Sequence, residues 1–194
     1  FSDPFWIIRL IHYPAVERTQ GEQDASDTMQ SEAALGCGAH RDYGFITFVT
    51  AETNPTDTAD RALQVCDKGG HWVSAKKPVK GDFLVNFGDC LEVVSCGLFP
   101  ATLHRVLRPK VGDRVSVAVF IEPNFDWVIQ SFVPVGLSAP CKRVDFDGDP
   151  RNSEGLRVES YLSRIQKLQD FRCYGEYLYS KVSGNFDDEG LKAI

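Results

Sequence analysis

No stretch of the sequence approaches the roughly 20 consecutive apolar residues that a membrane-crossing helix requires; the most apolar run, Val115 to Ile121, stops far short. A membrane is therefore not an expected partner. A basic stripe is missing too. Lys plus Arg number 21 against 27 Asp plus Glu, a formal net charge of -6. Nothing is arranged to neutralise a phosphate backbone, so nucleic acid is not expected either. Cysteine is sparse and irregularly spaced, at Cys37, Cys66, Cys90, Cys96, Cys141 and Cys173, with no Cys-x-x-Cys pair. That excludes a disulfide-built scaffold and points to a reduced, cytoplasmic compartment. The chain opens on Phe1 rather than Met, which reads as a piece of a longer protein.

What is there is ordinary globular material: 194 residues, 43% hydrophobic, 25% charged and 11% aromatic. This is the size of a single domain spanning residues 1–194, with no internal repeat and no linker-like boundary. Phe5 to Tyr13 (FWIIRLIHY) is apolar, aromatic and β-branched and stops at Pro14, which predicts a buried strand. Ala15 to Ala33 carries almost no large apolar side chain and is expected to be a long loop, as is Thr53 to Arg61. Further strands are predicted at Phe45 to Thr50, Ala62 to Cys66, His71 to Ala75, Phe83 to Phe87, His104 to Leu107 and Arg114 to Glu122. The turn Asp67-Lys68-Gly69-Gly70 joins two of them into a hairpin. This rhythm is that of a β-barrel or sandwich. After Pro123 the pattern changes, and Val158, Tyr161, Leu162, Ile165 and Leu168 fall on one helical stripe, predicting a C-terminal helix packed on the β core.

Chemistry concentrates in His40-Arg41-Asp42. On a strand, positions i and i+2 share a face, so this imidazole and carboxylate can ligate one ion, and His104 can supply a third ligand from another strand. Two histidines and one carboxylate on one side of a metal leave the opposite positions open, as in non-haem Fe(II) oxygenases, although zinc hydrolysis fits the same ligand types. A kinase-like reading of His-Arg-Asp fails because Thr47 stands where the magnesium-binding Asn should be. The run RVSVAVFIE adds a second feature. Alternation places Arg114, Ser116, Ala118 and Phe120 on one face of an otherwise apolar strand. A guanidinium buried there calls for an anionic partner, and its planar fork matches a carboxylate.

Taken together, RLIHYP (Arg9 to Pro14), AHRDYGFITF (Ala39 to Phe48), ALQV (Ala62 to Val65), FLVNFGD (Phe83 to Asp89), TLHRV (Thr102 to Val106) and RVSVAVFIEPN (Arg114 to Asn124) resemble the Fe(II)- and 2-oxoglutarate-dependent dioxygenases. The branch is that of isopenicillin N synthase and the plant flavonoid and hormone oxidases. The resemblance implies a mostly β fold, a double-stranded β-helix or jelly-roll of cupin type. The core would span about residues 5–124, with a C-terminal extension at 125–194 carrying a helix. It implies that His40, Asp42 and His104 bind Fe(II), that Arg114 and Ser116 grip the distal carboxylate of 2-oxoglutarate with help from Tyr13, and that Phe120 walls the substrate pocket. The implied reaction consumes O2, decarboxylates 2-oxoglutarate to succinate and CO2, and oxidises a C–H bond of a small molecule. Asn86, Gly88 and Asp89 read as a structural turn without a chemical role.

Two departures stand out. Ile11 occupies a position where plant members often have Asn, and the family's N-terminal region before the Tyr-Pro strand is not in this sequence. Two rival readings remain open at this point. One is an oxidase similar to isopenicillin N synthase that does without 2-oxoglutarate, and the other is a non-catalytic barrel serving as a binding module. His12 and His71 are expected to lie outside the site, and Cys37 close enough to His40 to be exposed to oxidative side reactions.

Overall fold

The computed structural model describes residues 5–15, 35–53, 62–76, 81–109, 112–130 and 161–183. Among the described residues there are eight strands: β1 (Phe5–Tyr13), β2 (Leu35–His40), β3 (Ile46–Thr53), β4 (Leu63–Cys66), β5 (Trp72–Ser74), β6 (Leu84–Phe87), β7 (His104–Leu107) and β8 (Arg114–Glu122). Three helices accompany them: α1 (Asp89–Val94), α2 (Tyr161–Gln169) and α3 (Tyr174–Ser183). The strands form two four-stranded antiparallel sheets, ordered β1-β8-β3-β6 and β2-β7-β4-β5. Apart from the β4–β5 hairpin, successive strands alternate between the sheets, so the chain winds as a double-stranded β-helix, the expected jelly-roll.

The register assigns each side chain a direction. Ile7, Phe120, Thr47 and Asn86 form one row across the first sheet, followed by Arg9 with Ala118, Ile11 with Ser116, and Tyr13 with Arg114. Because side chains alternate between faces, all of these point to the interior together with the buried Thr47, Arg114, Ser116 and Ala118.

The intervening residues of β1 point outward, and there the expectation of a buried strand is corrected. Trp6, Ile8 and Leu10 are 59%, 56% and 75% exposed. Only one face of this sheet is packed against the interior, so an apolar strand is not thereby buried on both sides.

β2 has no clear signal in its sequence, LGCGAH, whose glycines depress strand propensity. The glycine at 36 is a packing requirement. A Cβ there would lie 2.6 Å from Cδ1 of Tyr13, so the buried Tyr13 ring occupies the space of a side chain. The C-terminal region holds two helices where the sequence predicts one. α2 includes the predicted stripe from Tyr161 to Leu168, and α3 follows it; Val158 lies outside the described residues. Most of the predicted loops, residues 16–33 and 54–61, also lie outside them, while Thr53 closes β3.

Asp89, which the sequence places in a turn, begins α1. This short helix is fastened from two sides. Its first amides donate to the turn ahead of β3, Asp89 N to Asp42 O at 2.8 Å and Cys90 N to Gly44 O at 3.1 Å. On the other side Arg164 of α2 bridges Asp89 (3.0 Å) and Glu92 (2.8 Å), and the Tyr177 hydroxyl donates to Asp89 Oδ2 at 3.0 Å. Phe45, Cys90, Val93, Ile129, Leu168, Tyr174 and Tyr177 fill the space between these helices and the sheet.

Gly88 makes the join possible, since a Cβ there would lie 2.4 Å from the Gly44 carbonyl oxygen, a backbone atom that cannot swing aside. Gly88→Ala is expected to destabilise the protein by about 2 kcal/mol through overpacking, read as a lowered urea midpoint with an unchanged slope.

Candidate metal and anion site

His40 and His104 meet because β2 and β7 pair, and the register sets them directly opposite each other with ring centroids 4.3 Å apart. Asp42 joins them by a different route from the one the spacing suggested. β2 ends at His40, and Asp42 lies beyond it in the turn fastened to α1, so its place is set by that turn and not by strand alternation. The outcome is nonetheless a cluster in which one ligand atom from each of the three residues lies within 4.8 Å of the others.

The hydrogen bonds around the cluster decide which atoms face inward. Nδ1 of His40 donates to the Gly38 carbonyl at 2.8 Å and Nδ1 of His104 to the Thr102 carbonyl at 2.9 Å, leaving both Nε2 atoms for a ligand. These Nε2 atoms lie 3.7 and 3.8 Å from Oδ1 of Asp42. The other carboxylate oxygen, Oδ2, is engaged twice: the Thr47 hydroxyl donates to it at 2.5 Å and the Asn86 amide at 2.6 Å. One oxygen and two nitrogens therefore converge, each with its partner atom already committed elsewhere. Asn86 does not belong to a structural turn alone, as its sequence context suggested, for it holds the back oxygen of Asp42 through a bond between residues 44 apart in sequence.

Electrostatics match a cation. Burial alone would lower His40, but its bonds to Cys37 and the Gly38 carbonyl, together with the Asp42 charge, outweigh this and raise it to about 9. His104 is lowered, by burial first and then by His40 opposite it. A metal cation held by both Nε2 atoms would take the place of a proton on His40. The set of two imidazoles and one carboxylate, gathered to one side, is a donor set that fits Fe(II).

Further along the same interior face, Arg114, Ser116 and Tyr13 are all buried. Tyr13 and Arg114 are cross-strand partners, the guanidinium lies 5.3 Å from the Tyr13 ring centre, and the Tyr13 hydroxyl hydrogen-bonds with Ser116 and Arg114. Burial raises the Tyr13 phenol, so it stays a neutral donor. A buried guanidinium beside two hydroxyls is a donor set whose chemistry suits a carboxylate. Phe120 lies on the same strand face, in the row of Thr47, whose hydroxyl donates to Asp42.

The remaining polar residues lie where the sequence put them. His12 points outward and pairs with Asp113 at 2.8 Å, and His71 sits exposed at the β4–β5 hairpin beside Asp67. Cys37 Sγ lies 3.6 Å from Nδ1 of His40. Cys37, Cys66, Cys90, Cys96 and Cys173 are free thiols. No described helix is long and apolar enough to cross a membrane.

The sequence pattern of the 2OG-Fe(II) oxygenase superfamily matches residues 7–123. The chain is 40% identical over 185 residues to an Arabidopsis thaliana protein named homoarginine-6-hydroxylase, covering 95% of this chain and 46% of that protein. It is 43% identical over 185 residues to a rice protein of the same name, covering 95% and 45%. The chain thus spans about half the length of these relatives. Among solved structures, a full-length Neurospora crassa protein crystallised in complex with alpha-KG superposes with a TM-score of 0.58 at 24% identity, over 93% of this chain and 45% of that one, and so shares the fold. With more than half of its length matched and its fold shared, the chain belongs to the 2OG-Fe(II) oxygenase superfamily.

Proposed function

We propose that this chain is the catalytic part of an Fe(II)- and 2-oxoglutarate-dependent dioxygenase that oxidises a C–H bond of a small cytoplasmic metabolite. The observation that carries the reading is the convergence of His40 Nε2, His104 Nε2 and Asp42 Oδ1 while Nδ1 of each imidazole and Oδ2 of the carboxylate are bound elsewhere. In this reading those three atoms hold Fe(II), and Arg114, Ser116 and Tyr13 hold the distal carboxylate of 2-oxoglutarate. When bound, the iron and its cosubstrate supply O2 activation coupled to decarboxylation, which yields succinate and CO2.

The protein's own contribution is geometric and electrostatic. Thr47 and Asn86 engage Oδ2 of Asp42 and leave Oδ1 as the oxygen that would hold the metal. Arg114 fixes the far end of the cosubstrate, and the hydroxyls of Ser116 and Tyr13 complete its hydrogen bonds in a region closed to water. Phe120 supplies an apolar wall beside the triad, against which a substrate can lie. Homoarginine is the first substrate to try, because two relatives carry that hydroxylase name.

Anaerobic titration of the Fe(II)-loaded protein with 2-oxoglutarate is expected to produce the visible metal-to-ligand charge-transfer band. Arg114→Ala is expected to keep its iron and to need on the order of a hundredfold more 2-oxoglutarate, the loss of about 3 kcal/mol for a buried charge-assisted pair. Iron that binds without any band in the wild-type protein would overturn the cosubstrate assignment.

Asn86→Ala is expected to weaken Fe(II) binding by roughly 10- to 100-fold, with Thr47→Val following the same direction. Competition with a chelator of known affinity measures this, and circular dichroism confirms that both variants are folded.

A further inference from the structure

Arg9 lies in the middle of β1, and its register partner is Ala118, so it points into the barrel from the same wall as Arg114 and Ser116. Its neighbours Ile8 and Leu10 point the other way. An arginine on the outer surface would need no explanation, but this one is on the inner face. The other inward-facing charged groups are engaged: Asp42 by Thr47 and Asn86, Glu122 by the Tyr174 hydroxyl, and Arg114 by Tyr13. Among the described residues, the Arg9 guanidinium makes no hydrogen bond and no ion pair, although it remains open to solvent.

Phe120 lies beside it, with its ring centre 5.6 Å from the guanidinium carbon. A guanidinium over a ring face keeps its planar edge of N–H donors pointing away from the ring, free to take a carboxylate through two parallel bonds. The place is also close to the metal ligands. Phe120 shares its row with Thr47 and Asn86, the two residues that hold Asp42.

We propose that Arg9 is the substrate anchor of this barrel: its guanidinium, seated on Phe120, binds the carboxylate of an amino-acid substrate and so turns a particular C–H bond toward the triad. The proposal rests on the dioxygenase reading and deepens it by assigning a substrate class. Arg9 is distinct from the Arg114 group, which lies two rows further along β1 and β8 and takes the cosubstrate. The interior therefore carries two separate carboxylate receptors. A deep one is built from a buried cation and two hydroxyls, and a shallow one is built from an exposed cation over an aromatic ring.

The probes are homoarginine and homoarginine methyl ester, which differ in the negative charge of the carboxylate. Each is titrated anaerobically into the protein loaded with Fe(II) and 2-oxoglutarate, and the shift of the charge-transfer band reports binding beside the metal. In the wild-type protein the acid is expected to bind on the order of 10- to 100-fold more tightly than the ester. Arg9→Gln is expected to weaken the acid to the level of the ester, to leave the ester unchanged and to leave the 2-oxoglutarate midpoint unchanged. Arg9→Lys, which keeps the charge but loses the planar fork, should recover part of the preference for the acid.

Equal binding of acid and ester to the wild type overturns the proposal, as does an Arg9→Gln variant that weakens both alike or a band that neither compound moves. Failure of the band to form in the wild type with 2-oxoglutarate alone is a different result: it removes the dioxygenase reading, and the proposal falls with it.

Discussion

Thr47 and Asn86 both donate to Oδ2 of Asp42, and the arrangement of the site follows from that shared restraint. A free carboxylate offers two equivalent oxygens and can turn about its bond, whereas one with an oxygen taken by two buried donors presents the other in a fixed direction. Oδ1 is thereby set 3.7 and 3.8 Å from the two imidazole nitrogens. The two donors come from β3 and β6, adjacent strands of one sheet, while the histidines come from β2 and β7 of the other. The ligand cluster thus forms only when both sheets face each other, and the polar bonds that hold it are bonds between the layers.

The helices secure the same turn from behind. α1 donates its first amides to the carbonyls of Asp42 and Gly44, and α2 and α3 fix α1 through Arg164 and Tyr177. Burying Asp89 and Glu92 would be costly without partners, and here each carboxylate meets the same guanidinium. Burial raises Asp89, and Arg164 acts against the rise. Glu122 is treated likewise: burial raises it, and the Tyr174 hydroxyl donates to it. The C-terminal helices therefore act as a brace for the turn that carries Asp42.

The interior wall formed by β1 and β8 is graded in polarity. Tyr13, Arg114 and Ser116 form its buried polar end, Arg9 an exposed cation in the next row, and Phe120 the aromatic ring against which Arg9 lies. A charge interaction is stronger at the buried end, where water is excluded, than at the exposed one. The opposite face of the same strands is apolar, and Trp6, Ile8 and Leu10 are exposed there among the described residues.

Strand alternation, the hairpin glycines and the inward direction of Arg114 and Ser116 were legible in the sequence, because each depends on residue type and on spacing within a few positions. β1, β7 and β8 were readable to the residue for that reason. β2 was not. Its glycine at 36 is explained by the Tyr13 ring lying against it, and that contact has no local signature. The sequence likewise suggested that His40 and Asp42 share a strand face, but the strand ends at His40, and a cross-strand pairing with His104 and a helix-braced turn bring the three together. The holding of Asp42 by Asn86 and the placing of Arg9 over Phe120 were decided by the tertiary structure alone. Each joins residues distant in the chain, and only the pairing of strands fixes their distance and direction.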